Sequence, residues 1–341
     1  MAQDDETQRQ DAPISAFERM WHYRPDVPIK TAPYFTKKPS LSQMIRWSYR
    51  QWLFVTERSL LVLISTVSFL YFQPELAVMA ELQIGWVTGL YARNLGLMIA
   101  VAGLLHLYFY SFKKQKDDLR YDSRDLRAQS GQFTFGSQLG DNVFWSLASG
   151  VTVWTAYEVL LFWAMANGFA PVMAFADNKL LFIALIFATP LWISFHFYWV
   201  HRALHWGPLY RLAHALHHRN TNVGPWSGLS MHPVEHLLFF SSILIHFIIP
   251  SSPFHILFHM QHQSLTAATS HTGYEAVLLG DKKHLALGTF HHQMHHRYFD
   301  CNYGNLEMPW DKWFGSFHNG TKESHAAFKE RKRSLLSKMR G

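Results

Sequence analysis

The chain is poor in cysteine, charge and recognisable cofactor signatures. Cys301 is the only cysteine among 341 residues, so no intrachain disulfide forms and a thiolate-held iron–sulfur cluster is excluded. Any metal chemistry must rest on nitrogen and oxygen donors. Charged residues make up 16% of the sequence, against roughly 25% in a typical soluble domain; this deficit implies that much of the surface faces something other than water. The mean hydropathy of −0.06 averages polar tails and 22 histidines with several long apolar runs. The first residues, Met1 to Asp11, are acidic and polar without an apolar core, so they are not expected to act as a signal peptide. There is no G-x-G-x-x-G turn and no fused haem domain, so any reducing equivalents are expected from a separate partner. No internal repeat or low-complexity tract is present.

What the chain does have is apolar runs. Four approach the roughly 20 residues needed to cross hydrocarbon, at 53–73, 89–112, 143–167 and 180–200. A fifth, 237–260, is interrupted by Pro250, Ser251, Ser252 and Pro253 and reads as a re-entrant helical hairpin. Segment 41–52 mixes Trp47, Tyr49 and Trp52 with Arg46 and Arg50, the pattern of a helix lying along headgroups. Segment 113–127 holds Lys113, Lys114, Lys116, Arg120, Arg124 and Arg127, whereas 74–88 and 168–178 contain no Lys or Arg. The positive-inside rule then places 113–142 in the cytoplasm. Four passes return the chain there at His201, and the basic stretch Lys329 to Arg340 agrees. The net charge of +7 is thereby assigned to the anionic membrane face and not to nucleic acid.

The expected fold is an all-α integral membrane bundle of about four transmembrane helices plus the re-entrant hairpin, topped by a cytoplasmic helical cap. The expected division is a polar tail and interfacial helix at 1–52, a transmembrane pair with its loop at 53–142, a catalytic domain at 143–320 and a basic tail at 321–341. Both termini are expected in the cytoplasm.

The most informative feature is the spacing of histidines. His201 and His205 form H-x-x-x-H. His214, His217 and His218 form H-x-x-H-H, and His292, His295 and His296 repeat it. On a helix, positions i, i+3 and i+4 share a face, so each cluster can aim two or three imidazoles at one place. A single metal takes three or four ligands; eight clustered histidines are too many for one ion and point to two. Gly207-Pro208 starts a new helix after the first cluster, and Arg-Asn-Thr-Asn-Val-Gly-Pro after His218 ends it. His106, His246, His255, His259 and His262 stand alone in apolar surroundings and read as buried, hydrogen-bonded residues.

The run Phe-His-Phe-Tyr-Trp-Val-His-Arg-Ala-Leu-His, followed by Leu-Ala-His-Ala-Leu-His-His, resembles the fatty acid hydroxylase superfamily, which includes sterol desaturases. The resemblance continues through His232-Pro233-Val234-Glu235, Ser270-His271-Thr272-Gly273-Tyr274 and His291 to His296. It ends on Asn302-Tyr303-Gly304 and Trp310 to Gly315, covering roughly 140–320. It implies an O₂-dependent membrane oxidoreductase with two iron ions, hydroxylating or desaturating a lipid. Electrons would come from an external carrier, cytochrome b5-like or ferredoxin-like, with its reductase.

Carried over by position, the implied ligands are His201, His205, His214, His217, His218, His271, His292, His295 and His296. Some relatives have a further histidine four residues before the position of His271. Ala267 stands there, and His232, His291 or water are the candidates to complete the shell. Glu235 is expected either to support a ligand N–H or to cap a helix after Pro233. Trp199, Trp206 and Trp226 are read as lining a lipid slot or as interface anchors. Two other classes were weighed. A zinc-dependent membrane hydrolase would show H-E-x-x-H, which is absent; a bis-histidine haem carrier would hold its ligands inside the spans. Fatty acyl chains, sterols and amino-acid-containing lipids all remain candidate substrates.

Overall fold

A computed structural model describes residues 17–53, 55–280 and 282–338. Its helices are α1 (Leu41–Trp52), α2 (Glu57–Phe72), α3 (Ile84–Ser111), α4 (Gln138–Ala166), α5 (Lys179–Leu204), α6 (207–217), α7 (Pro233–Phe247) and α8 (Pro253–Ser270). A hairpin of β1 (Ala276–Leu279) and β2 (Lys282–Ala286) follows, then α9 (Phe290–Tyr298), α10 (Trp310–Trp313) and α11 (Lys322–Lys338).

Local signals fix the helix starts. Thr56 and Ser59 form a capping box for α2, and Ser137 and Asn178 accept backbone N–H groups at the starts of α4 and α5. In each case a short polar side chain satisfies a backbone donor that the first turn leaves free. Among the described residues three helices, α3, α4 and α5, are long and apolar enough to cross a membrane; α1 and α2, bent by 45° at their junction, would make a fourth if they count as one span. The first apolar run was placed at 53–73, but α2 itself begins only at Glu57. Large apolar side chains such as Ile84 and Leu180 are about four-fifths exposed, as expected where lipid is the solvent.

The 237–260 region forms two helices, α7 and α8, broken around Pro250 to Ser252. Ser252 caps α8 and Pro253 occupies its first turn. Unlike the expected short dip, α8 continues to Ser270 and is buried along nearly its whole length. It forms the central post of the bundle, packed against α2, α3, α4 and α5. The turn Pro225–Leu229 lies directly on it: a Cβ on Gly228 would sit 2.0 Å from the Ala267 carbonyl oxygen, so only glycine permits this approach.

One ion pair inside the bundle is fully engaged. Arg93 of α3 meets Glu158 of α4, whose carboxylate also accepts from Asn94 at 2.8 Å and Trp154 at 2.8 Å. At membrane depth such charges persist only when matched.

The structure departs from the sequence expectation at further places. The β1–β2 hairpin, turning through Gly280 at φ +62°, interrupts an otherwise helical chain. The N-terminal region is expected as a polar tail, yet Trp21 is buried against Phe290 with ring centroids 4.8 Å apart, and Ile29 donates to the Asn319 carbonyl at 2.8 Å. Residues 1–16 lie outside the described residues. The basic C-terminal segment forms a helix, α11, whose His325 and Phe328 are buried.

Candidate metal centre

α5 ends with His201 and His205 one turn apart. The Gly207-Pro208 start redirects the chain into α6, whose middle turn, Tyr210–His214, is a wide π-turn. Turns of this kind recur at functional sites. Here it delivers His214, His217 and His218 opposite α5. The third supporting element, α8, ends on His271, and the fourth, α9, starts on Thr289, which accepts the His292 N–H.

Nine imidazoles gather into two groups. His201, His205, His214, His218 and His295 form one; His217, His271, His292 and His296 form the other. Within each group one donor atom per residue lies within 4.8 Å of every other. The two H-x-x-H-H motifs are shared between the groups in opposite senses. Outer members His214 and His218 join the five-histidine group, while the middle one, His217, crosses to the four. On α9 the outer pair, His292 and His296, belongs to the four, and the middle one, His295, crosses to the five. Each helix therefore runs between the two groups, which fixes their spacing rigidly.

The orientation of the rings decides what they can bind. Nδ1 of His201, His271 and His295 faces the carbonyl oxygens of Tyr303 at 2.6 Å, Ala267 at 2.7 Å and Cys301 at 2.7 Å. A carbonyl can only accept, so Nδ1 carries the proton and the bare Nε2 lone pair points inward. His214 Nδ1 likewise meets Glu235 Oε1 at 2.7 Å. The inward Nε2 atoms approach closely. In the five-histidine group His201–His214, His214–His205 and His218–His295 stand at 3.1 Å and His218–His205 at 3.2 Å. In the four-histidine group the His271–His296 and His271–His292 separations are 3.0 Å. Lone pairs converging this tightly repel one another unless a cation lies between them.

The spacing also speaks to geometry. With nitrogen–metal bonds of about 2.1 Å, ligands at right angles stand about 3.0 Å apart and tetrahedral ligands about 3.4 Å. The observed separations match the former, and a set of five donors exceeds the tetrahedral number.

Burial favours the uncharged rings that metal binding requires. It pushes His205 down to about 2, with its histidine neighbours adding to the effect, and His217 and His271 to about 4 and about 3. Burial raises the Glu235 carboxyl well above its ordinary range.

Both groups border one cavity of about 990 Å³, reached by His201 and His214 from the five-histidine group and by His217, His271 and His292 from the four. Ala267 also lines it. That residue is one helical turn before His271, the place where a fifth donor would pair with it as His201 pairs with His205.

The remaining expected residues sort as follows. His232 caps α7, accepting from Val234 N at 3.2 Å, and His291 faces Asp311 at 3.7 Å; neither is in either group. Glu235 is 2% exposed and holds His214, so it supports a candidate ligand and His232 is the cap. Trp199, Trp206 and Trp226 do not line the cavity. Of the lone histidines, His246 and His259 bond each other at 3.0 Å, and His255 bonds the Phe182 carbonyl at 2.9 Å. Among the described residues, His106 and His262 have Nδ1 buried without a hydrogen-bond partner, contrary to expectation.

Sequence reasoning missed the carbonyls of Ala267, Cys301 and Tyr303, because every residue offers the same carbonyl and only the fold aims it. It also missed Asp311, which binds the N–H groups of Tyr303 and Gly304 at 2.8 Å each and so holds the loop that orients His201. Its place in the Trp310 to Gly315 motif was the available signal.

Residues 182–316 match the family model described as fatty acid hydroxylase. A Delta(7)-sterol 5(6)-desaturase of Aspergillus fumigatus is 26% identical over 182 residues, 50% of this chain and 51% of that protein. The Delta(7)-sterol 5(6)-desaturase of Saccharomyces cerevisiae is 32% identical over 125 residues, 35% of this chain and 32% of its own. A methylsterol monooxygenase of Aspergillus fumigatus is 29% identical over 174 residues, 46% of this chain and 55% of that protein. The chain thus spans from about a third to about half the length of these curated relatives. No solved structure matches the chain. The segment that carries both histidine groups, residues 182–316, belongs to the fatty acid hydroxylase and sterol desaturase family.

Proposed function

We propose that this chain is a membrane-embedded, O₂-dependent di-iron oxidoreductase that oxidises a C–H bond of a membrane lipid, by hydroxylation or desaturation. The observation that carries this reading is the pair of inward-facing imidazole groups on the wall of one large cavity. His201, His205, His214, His218 and His295 would hold one iron; His217, His271, His292 and His296 the other. When bound, the pair supplies redox chemistry with O₂, which zinc lacks.

The chain's own residues do the positioning. The carbonyls of Tyr303, Cys301 and Ala267 keep the Nδ1 protons outward, and Glu235 does the same for His214. The four-histidine group has one donor fewer, and Ala267 leaves its missing place open to the cavity, as a catalytic metal needs. The side chains of Ile193, Phe197, Val200 and Leu204 give the cavity an apolar wall suited to a lipid chain or ring. Sterol substrates are the class suggested by the relatives' names; fatty acyl and other membrane lipids fit the same apolar wall.

Electrons come from a separate protein carrier, cytochrome b5-like or ferredoxin-like, with its reductase. The basic 113–127 segment and α11 support a cytoplasmic placement of the site and the C-terminus. A zinc-dependent hydrolase is disfavoured by right-angle donor spacing and by the engagement of Glu235, the cavity carboxylate nearest the histidines, with His214.

The test is iron content and lipid oxidation by protein purified in detergent and supplied with O₂, a reductase and a carrier. Wild type should hold two irons per chain, and His218→Ala should lose iron and activity while still inserting in the membrane. Full activity in His218→Ala would remove the central claim.

A further inference from the structure

One face of α8 runs along the cavity. His262, Gln263, Thr266, Ala267 and Ser270 line it, a single helical stripe. Ile193, Phe197, Val200 and His201 of α5 form the facing stripe. Together they enclose an inner arm that leads from the histidine groups into the bundle. His262 lies nine residues before His271, or roughly 13 Å of helix at about 1.5 Å per residue.

The other polar side chains on the α8 stripe are committed to the protein. Gln263 accepts from Ser242 at 2.6 Å and donates to the Phe239 carbonyl. Thr266 and Ser270 donate to the carbonyls of His262 and Ala267. His262 differs. It is 8% exposed, and its Nδ1 is buried without a hydrogen-bond partner among the described residues. Phe258 meets its ring edge-on at 5.6 Å. Leaving such a group unsatisfied is unfavourable, and an ionisable side chain at membrane depth usually marks a functional contact.

We infer that His262 is a specificity-determining residue that hydrogen-bonds a hydroxyl group of the lipid substrate at the inner end of the cavity. This rests on the cavity being the substrate site of the oxidoreductase proposed above. A neutral imidazole offers one donor and one acceptor, which a hydroxyl matches and a carboxylate or ammonium does not. Arg58 offers no free charge to an anionic head, since it is paired with Glu307 and stacked on Trp47 and Trp52. The contact acts as a ruler, because the carbon presented to the histidine groups lies a fixed length from the hydroxyl. The hydroxyl belongs to a sterol or to a straight-chain alcohol, two sources with the same chemistry.

Binding of matched probes to the iron-loaded protein in nanodiscs separates them: cholestanol against cholestane, and hexadecanol against hexadecane. Wild type should prefer the alcohol of one pair by about tenfold or more, the scale of one buried hydrogen bond with its desolvation. The pair that shows the preference identifies the source. His262→Phe should bring that ratio close to one while bound iron is unchanged, and His262→Gln, which keeps a donor and an acceptor, should retain most of it. His262→Leu gives the same comparison should the phenylalanine variant not fold. No preference in wild type for either pair overturns the inference, as does an undiminished preference in the Phe or Leu variant. Absence of iron from wild type would sink the oxidoreductase reading but leave the alcohol preference, and with it the role of His262, measurable.

Discussion

Glu235 provides the sharpest test of how the five-histidine group is held. Its Oε1 accepts a hydrogen bond from His214 Nδ1 at 2.7 Å, and its Oε2 is buried without a hydrogen-bond partner among the described residues. Replacing it with leucine keeps much of the volume but removes the acceptor. The His214 proton then has no fixed partner, and the tautomer with Nε2 protonated becomes accessible. That proton would point at His201 and His205, whose Nε2 atoms stand 3.1 Å away, and would block the donor. Losing such a supporting bond lowers metal affinity by about 10–100-fold, or about 1.4–2.7 kcal/mol. Glu235 makes its hydrogen bond to the five-histidine group, so only one of two metals should weaken. Dialysis of the loaded protein against graded chelator, with metal counted by mass spectrometry, reads this directly. Glu235→Leu should release one equivalent at roughly 10–100-fold lower chelator and keep the second at the wild-type concentration. Glu235→Gln, which preserves an acceptor oxygen, should lie between the two. Retention of both metals at wild-type chelator in Glu235→Leu would refute the reasoning.

Three further outcomes follow from the same geometry. Ala267→His places an imidazole one turn before His271, on the cavity wall; it should slow metal loss from the four-histidine group and cut turnover about tenfold or more, and unchanged turnover would show that the open place is elsewhere. Burial holds His236 and His318 down at about 3, whereas the unfolded chain titrates near about 6.5. The unfolded state therefore binds more protons below that pH, so stability is full above it and falls on acidification toward about 3. Tm measured at about pH 7 and about pH 5 should drop, and a constant or rising Tm would contradict this assignment. Cys301 is fully buried and so is a silent reporter of topology; Lys329→Cys on α11 should react with an impermeant thiol reagent only after cells are permeabilised, and labelling of intact cells would reverse the proposed orientation.

Much of the site was legible in the sequence because it is local. Imidazoles at i, i+3 and i+4 share a helix face whatever the rest of the chain does, so His214, His217, His218, His292, His295 and His296 announce themselves by spacing alone. The apolar runs that became α3, α4 and α5 were equally plain, since each must satisfy its own backbone in lipid. The helical breaks at Gly207-Pro208 and around Pro250 to Pro253 follow from proline's missing N–H.

The rest depended on how the helices pack. Spacing cannot say that the middle histidine of each H-x-x-H-H motif crosses to the other group, because that follows from two helices lying between two centres. Nor can it name the carbonyls of Tyr303, Cys301 and Ala267 that set the tautomers, for a carbonyl has no identity until the fold aims it. The same holds for Glu235 and His262. In sequence each is one polar residue beside apolar ones; one lies against His214 and the other lines the cavity without a hydrogen-bond partner among the described residues. The sequence by itself determined which imidazoles share a helix face, because that is a property of helical repeat; the division into five and four, and the open place between Ala267 and the cavity, were decided only when tertiary packing fixed the distances between those faces.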